Sequence, residues 1–290
     1  MKLNNIQKYY GKQHILKNIN FDFGDSQIVG LIGKNGVGKT TLMKIMNQNI
    51  MKYEGTFKKE NRDKVGYLIE NPKLYLNKTG YYNLNFFRNV LGTNVDDDYI
   101  NMLIESFGIK PYINKKVKKY SMGMKQKLSI AVALMNKPQY LILDEPTNGM
   151  DPDGSIDVLK TLEKVSKDLN IKVLISSHKL EDIELICDRT VFMKDGAIVE
   201  DYDMKAQSKD VTKFIFDHSS YNEALNILTM NYKVVTSNKQ ESIISVEALQ
   251  DYQEVLKALS AQNIYPKFIQ NNKTTLRDQY FNINKGVEVS

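Results

Sequence analysis

A chain of 290 residues, 42% of them hydrophobic, has room for one large domain or for a domain with a smaller companion. No window approaches the ~18 consecutive apolar residues of a membrane-spanning helix, and the opening MKLNNIQKYYGK lacks the apolar centre of a signal peptide, so a cytosolic protein is expected. The single cysteine, Cys187, excludes an internal disulfide. The net charge of +6 comes mostly from lysines interspersed with acids, so nucleic acid is not an expected partner.

In chain order, Leu3 to Tyr9, Ile15 to Phe23 and Gln27 to Ile32 read as strands, punctuated by Gly11 and Gly24-Asp25. Thr41 to Asn47 reads as a helix and Lys64 to Ile69 as a strand. A helical stretch runs from Gly80 to about Ala133, with turns near Gly92 and Pro111. Within it, Lys115, Lys116, Lys118 and Lys119 form the densest basic cluster, read either as a solvated face or as a surface turned toward a membrane or partner. Tyr140 to Leu143 is a short apolar run, as a parallel strand covered on both faces would show. Ile156 to Leu169 is an amphipathic helix with Leu159, Leu162 and Val165 on one face. Lys172 to Ser176 and Thr190 to Met193 are strands around the helical stretch Glu181 to Asp188, which carries Cys187 as a buried small hydrophobe. This alternation predicts an α/β fold with a mainly parallel sheet.

Past a polar stretch at Asp203 to Asp210 the pattern changes. Phe214 to Phe216, Tyr232 to Thr236, Ser242 to Glu247 and Lys267 to Gln270 read as strands. Glu223 to Met230 and Asp251 to Gln262 read as helices. That succession predicts a small ferredoxin-like α+β unit. The expected domains are therefore residues 1–205 and 206–290.

The first chemical signal is Gly33-Lys34-Asn35-Gly36-Val37-Gly38-Lys39-Thr40, followed by Thr41. It fits the phosphate-binding loop GxxxxGK[ST], set between a strand and a helix as that motif requires. Glycines let backbone N–H groups turn toward a polyanion without a Cβ in the way. Lys39 can reach the β- and γ-phosphates of a nucleotide, and the Thr40 hydroxyl can ligate Mg²⁺. The second signal is the pair Asp144-Glu145 at the end of the Tyr140 strand. Ligands gather at the carboxyl edges of open α/β sheets. Asp144 is expected to hold Mg²⁺, mostly through water, and Glu145 to act as general base on an attacking water. Asn136-Lys137-Pro138-Gln139 resembles a guanine-reading element but ends in Gln139 where that element has an acid, so it reads as an ordinary helix-to-strand turn.

Together these motifs resemble the ATPase subunit of ABC transporters over residues 1 to about 205. The resemblance implies a P-loop ATPase domain with a helical subdomain at about residues 72–125. The family's signature, Leu-Ser-Gly-Gly-Gln, stands here as Tyr120-Ser121-Met122-Gly123-Met124. Ser121 can cap a helix Met124 to Met135, Gly123 leaves the backbone open, and the helix N-terminus offers N–H groups to an anion. In the family that anion is the γ-phosphate held by the other subunit. By the same resemblance Asp151 is the acid of the D-loop and His178 the switch histidine at the γ-phosphate. Tyr10 is the aromatic that stacks on adenine, with Tyr9 as the alternative.

Two features depart from the family. Glu70 stands where the family has a glutamine near Mg²⁺, and the signature keeps only one of its two glycines and lacks its Gln. Both departures resemble the branch of bacitracin-resistance and lantibiotic-immunity ATPases, which also includes staphylococcal exporters of phenol-soluble modulin peptides. The resemblance implies ATP and Mg²⁺ as cofactors, a homodimer with two ATP at its interface, and a separately encoded transmembrane permease that holds this cytoplasmic chain at the inner face of the membrane. The C-terminal unit is expected to serve dimerisation or regulation. The alternatives are a soluble ABC ATPase acting on ribosomes or DNA, and an importer ATPase.

Overall fold

The computed structural model describes residues 1–60, 63–69, 74–92, 95–204, 210–247, 249, 252–273, 276 and 280. The chain divides into two compact units, Met1–Met204 and Lys205–Ser290.

The first unit is built on a six-stranded sheet in the order β5-β6-β7-β3-β8-β9. Its strands are β3 (Ile28–Ile32), β5 (Val65–Leu68), β6 (Tyr140–Asp144), β7 (Lys172–Ser177), β8 (Arg189–Lys194) and β9 (Ala197–Asp203). The first five run parallel, and β9 closes the edge antiparallel to β8. Strand β3 is buried at every position, the condition of a parallel strand covered on both faces. Its alternate residues Val29 and Leu31 join a core with Leu42, Met43, Ile142, Leu174 and Val191. Gly30 faces the other way, where a Cβ would stand 2.6 Å from Ile183. Only glycine lets α6 (Leu180–Ile186) sit that close to the central strand.

A second sheet, β2-β1-β4, covers the first core face. It comprises β1 (Lys2–Tyr10), β2 (Gln13–Asp22) and β4 (Glu54–Lys58). Helix α1 (Lys39–Met46) contributes Leu42, Met43, Ile45 and Met46 to the same core. On the other side, α5 (Pro152–Asp168) packs on α6 and on α4 (Met122–Ala133). Pro152 stands at the start of α5, where its missing N–H costs no bond, and Asp151 caps it by accepting from Gly154 N at 2.8 Å.

The helical segment holds α2 (Gly80–Val90), α3 (Asp97–Ser106) and a 3₁₀ turn at Val117–Lys119 before α4. Thr79 and Asp96 cap α2 and α3. Asn83, fully buried, accepts from Tyr75 N at 2.7 Å and donates to Tyr75 O and Thr79 O, which fixes the loop before α2. Tyr75, Leu76, Tyr81 and Tyr82 remain exposed on this surface, and so do Lys115, Lys116, Lys118 and Lys119.

The second unit runs β10 (Asp210–Ile215), α7 (Tyr221–Asn231), β11 (Val234–Asn238), β12 (Ile243–Glu247), α8 (Gln253–Ser260) and β13 (Phe268–Lys273). Its antiparallel sheet has the order β11-β12-β10-β13. This β-α-β-β-α-β succession places the first and third strands side by side at the centre. Its own core gathers Phe214, Tyr221, Leu228, Ile244, Val246, Val255 and Leu259.

Candidate active site

Three neighbouring strands of the parallel sheet end side by side. After β3 comes Gly33 to Thr40, after β6 Glu145, and after β7 His178. The sequence places the phosphate loop more than a hundred positions before Glu145 and His178, and parallel pairing brings all three strand ends to one edge.

The phosphate loop is set by close packing. A Cβ on Gly33 would stand 2.6 Å from Met193 O, and Gly38 holds φ +111 at the cap of α1. Neither position accepts another residue without strain. Lys34, Asn35 and Gly36 form the exposed crest, Val37 is half-buried, and Lys39 is buried below them. Lys39 Nζ donates to Gly33 O at 2.6 Å and to Lys34 O at 3.3 Å. Burial lowers its pKa from the ordinary lysine value of 10.5, and the charges of Glu145 and Asp144 work in the opposite direction.

Thr40 Oγ1 donates to Asp144 Oδ2 at 2.6 Å, so the two proposed Mg²⁺ ligands stand in direct contact. Ser176, fully buried on β7, donates to Asp144 Oδ1 at 2.5 Å and accepts Glu145 N at 2.9 Å. That second bond supports a left-handed backbone, since Glu145 has φ 47. A non-glycine residue held there is strained by about 1–3 kcal/mol unless its surroundings impose the conformation. His178 Nδ1 lies 2.9 Å from Glu145 Oε2, with 20% of the glutamate side chain and 47% of the histidine exposed. An ionised carboxylate only accepts, so Nδ1 carries the proton in this pair.

A cleft of about 760 Å³ opens over these groups, lined by the loop residues Asn35, Gly36, Gly38, Lys39, Thr40 and Thr41 and by Asp144 and Glu145. Met122 and Gln126 of α4 and Gly149 and Met150 also reach it. Of the other predicted residues, Gly33, Lys34, Val37 and His178 adjoin lining residues in sequence or by hydrogen bond without lining the cleft themselves, and Tyr10, Ser121, Gly123 and Asp151 are not among its lining residues either. Tyr10 is half exposed at the end of β1, with Lys8 Nζ 4.6 Å over its ring, while Tyr9 stacks on His14 at 4.0 Å. Glu70 lies outside the described residues.

The signature helix starts earlier than its predicted Met124 to Met135. It spans Met122–Ala133, because Ser121 Oγ accepts Met124 N at 3.2 Å and so makes Met122 the first helical residue. Tyr120, where the family has leucine, fits because residue 80 is glycine: a Cβ there would stand 2.4 Å from the Tyr120 hydroxyl. Burial pushes that hydroxyl up to about 12, and it donates to Tyr112 O at 2.7 Å. Met122 and Met150 interlock, since their methyls lie 3.2 Å from the Cβ positions of Gly149 and Gly123.

Sequence reasoning did not single out Ser176, Thr147 or Asp182. The hydroxyl of Thr147 donates to Asp182 Oδ2, and Ser177 Oγ lies 3.5 Å from the same oxygen. Ser176 and Ser177 were visible only as small polar residues before His178. Cys187 is buried, and burial pushes its thiol well above the ordinary range, so it is an inert packing group.

A parallel sheet whose strand ends bring together a phosphate loop, a Thr–Asp pair and a Glu–His pair defines a P-loop nucleotide hydrolase. The family model described as ABC transporter matches residues 16–148. The chain is 34% identical to the bacitracin transport ATP-binding protein BcrA of Enterococcus faecalis, over 95% of this chain and 93% of that protein. It belongs to the ATP-binding proteins of ABC transporters, enzymes that hydrolyse ATP in transport. It is also 38% identical to the lantibiotic transport ATP-binding protein SrtF of Streptococcus pyogenes, over 70% of this chain and 91% of that one. Among solved structures, CbiO1 of Clostridium perfringens, part of the ABC transporter complex CbiONQ, superposes with a TM-score of 0.64. The identity is 25%, covering 79% of this chain and 94% of that chain. A bacterial ABC transporter cassette solved as a dimer matches in fold, with a TM-score of 0.60 at 21% identity over 71% of this chain and 99% of that one.

Proposed function

We propose that this chain is the ATP-hydrolysing subunit of an exporter of amphipathic or antimicrobial peptides, working with a separately encoded permease. The observation that carries the catalytic part is the 2.9 Å contact between Glu145 and His178, beside the Thr40–Asp144 pair and the buried Lys39. The cargo reading rests on similarity to the bacitracin and lantibiotic transport proteins.

In this reading the N–H groups of Gly33 to Thr41 and the Lys39 ammonium take up the negative charge of the β- and γ-phosphates. Glu145 accepts a proton from water as the water oxygen bonds to the γ-phosphorus and the bond to the β-phosphate oxygen breaks. His178 holds the Glu145 carboxylate in place. Thr40 and Asp144 offer adjacent hard oxygen donors, which suit Mg²⁺, and that ion would neutralise phosphate charge there. No cluster of three or more His, Cys, Asp or Glu side chains forms a metal cage among the described residues. Mg²⁺ is commonly held by one or two protein oxygens together with phosphate and water, so the Thr–Asp pair is sufficient.

In a head-to-tail dimer around two ATP, Ser121, Gly123 and Asp151 would reach the nucleotide of the second copy. Tyr10 or Tyr9 would stack on adenine. No helix is long and apolar enough to cross a membrane among the described residues, and this reading assigns the pore to the separately encoded permease. The exposed Tyr75, Leu76, Tyr81 and Tyr82 on the helical segment form the surface that would meet it. The C-terminal unit is assigned to dimerisation or regulation. The test is copurification with the candidate permease in membranes, followed by ATPase assay with bacitracin-like and lantibiotic-like peptides. Stimulation by such peptides supports the reading, and indifference to every peptide in a complex active as an ATPase overturns the cargo assignment.

A further inference from the structure

The loop that follows Glu145 and the residue that precedes His178 converge on one buried carboxylate. Thr147, two residues after Glu145, donates its hydroxyl to Asp182 Oδ2. Ser177, directly before His178, places its hydroxyl 3.5 Å from the same oxygen and accepts Lys179 N at 3.0 Å. Thr147, Ser177 and Asp182 are each at most 8% exposed, so these bonds form out of water. Asp182 stands on α6, and the next residue, Ile183, packs on Gly30 of the central strand. The carboxylate is therefore fixed to the most buried strand of the sheet.

A buried carboxylate is costly unless donors surround it. Here its hydroxyl donors come from two separate segments, the loop after Glu145 and the end of β7, and each adjoins one member of the Glu145–His178 pair. A purely structural carboxylate could be satisfied by its own helix. We propose that Asp182 is a positioning residue that sets the separation of Glu145 and His178 by bracketing Thr147 and Ser177. The proposal rests on the reading of Glu145 as the general base. Without the bracket, the strained left-handed backbone of Glu145 has a route to relax, and the carboxylate drifts from the water it must orient.

The full chain provides the test. Misplacing a reacting group by about 1 Å costs on the order of a hundredfold, so Asp182→Ala and Thr147→Val should each lower kcat about 10- to 100-fold. ATP Kd should stay within about threefold of wild type, because a residue acting on the chemical step lowers kcat rather than binding. Thr147→Ser keeps the hydroxyl and should recover most of the rate lost in Thr147→Val. The double variant should be no slower than the slower single variant, since both changes remove one bracket. If Asp182→Ala does not fold, the comparison of Thr147→Val with Thr147→Ser decides alone. Parallel loss of ATP affinity, multiplying losses, or equal rates for the two Thr147 variants overturns the bracket. So does a wild-type kcat in Asp182→Ala while Glu145→Gln is slow, and in that case the base assignment survives. A wild-type kcat in Glu145→Gln removes base and bracket together.

Discussion

Ser176→Ala removes one hydroxyl that holds both the Asp144 carboxylate and the backbone of Glu145. In the structure that hydroxyl donates to Asp144 Oδ1 at 2.5 Å and accepts Glu145 N at 2.9 Å, at a fully buried position. A hydrogen bond to a charged group contributes about 1.5–3 kcal/mol, and an orphaned buried N–H costs about 1–3 kcal/mol. The two losses share one atom, and Asp144 and Glu145 are only half-buried, so their sum is discounted to about 2–4 kcal/mol. For a unit of 204 residues, about 3 °C per kcal/mol gives a fall in Tm of about 6–12 °C. The Glu145 backbone also loses the bond that supports φ 47, so kcat should fall about tenfold or more. Thermal unfolding followed by circular dichroism and a coupled phosphate-release assay read both quantities. A Ser176→Ala protein with Tm within about 1 °C of wild type and an unchanged kcat would refute the reasoning, because the hydroxyl would then be replaceable by water.

Three further outcomes follow from the same geometry. The pKa of Lys39 is lowered by burial, so in the free protein its ammonium is lost on the acid side of the ordinary lysine range, 10.5; ATP affinity should therefore fall as pH rises toward that value, and Lys39→Arg, which keeps its charge, should flatten the fall in an equilibrium titration. A chain ended at Met204 keeps every nucleotide motif and its own core, so it should bind ATP as the full chain does while its dimerisation or coupled ATPase rate changes; transport at the full rate by the shortened chain would count against a regulatory C-terminal unit. Glu70 adds a negative charge where the family has an amide, so ATP binding should depend more steeply on Mg²⁺ in the wild type than in Glu70→Gln, and parallel titration curves would mean that the carboxylate has no part in metal binding.

The candidate nucleotide site was legible because its motifs are short and local. A phosphate loop needs its glycines and lysine within eight residues, and an Asp-Glu pair closing an apolar strand is visible without a fold. The distribution of work around those residues was not legible. Ser176 matters because parallel register puts it opposite Asp144, and register is a property of the sheet. Asp182 matters because α6 packs close over Gly30, which only the folded chain reveals. Two strands escaped prediction for a common reason. β4 (EGTFK) and β9 (AIVEDYD) are sheet edges that face water, so neither shows a continuous apolar run. The sequence favoured Tyr10 and left Tyr9 as the alternative because both precede the same turn. In the structure Tyr9 is already stacked on His14, whereas Tyr10 meets only the ammonium of Lys8 among the described ring contacts.

The central claim is that Glu145 is the general base of an ATP hydrolase. Glu145→Gln keeps the shape of the side chain and removes its basicity, and a general base contributes about 10²–10⁴-fold. The decisive measurement is single-turnover ATP hydrolysis by the purified full chain, alongside equilibrium ATP binding on the same samples. The account predicts ATP affinity close to wild type with hydrolysis slowed by about 10²-fold or more. Hydrolysis by Glu145→Gln at near the wild-type rate, with ATP bound, would contradict it.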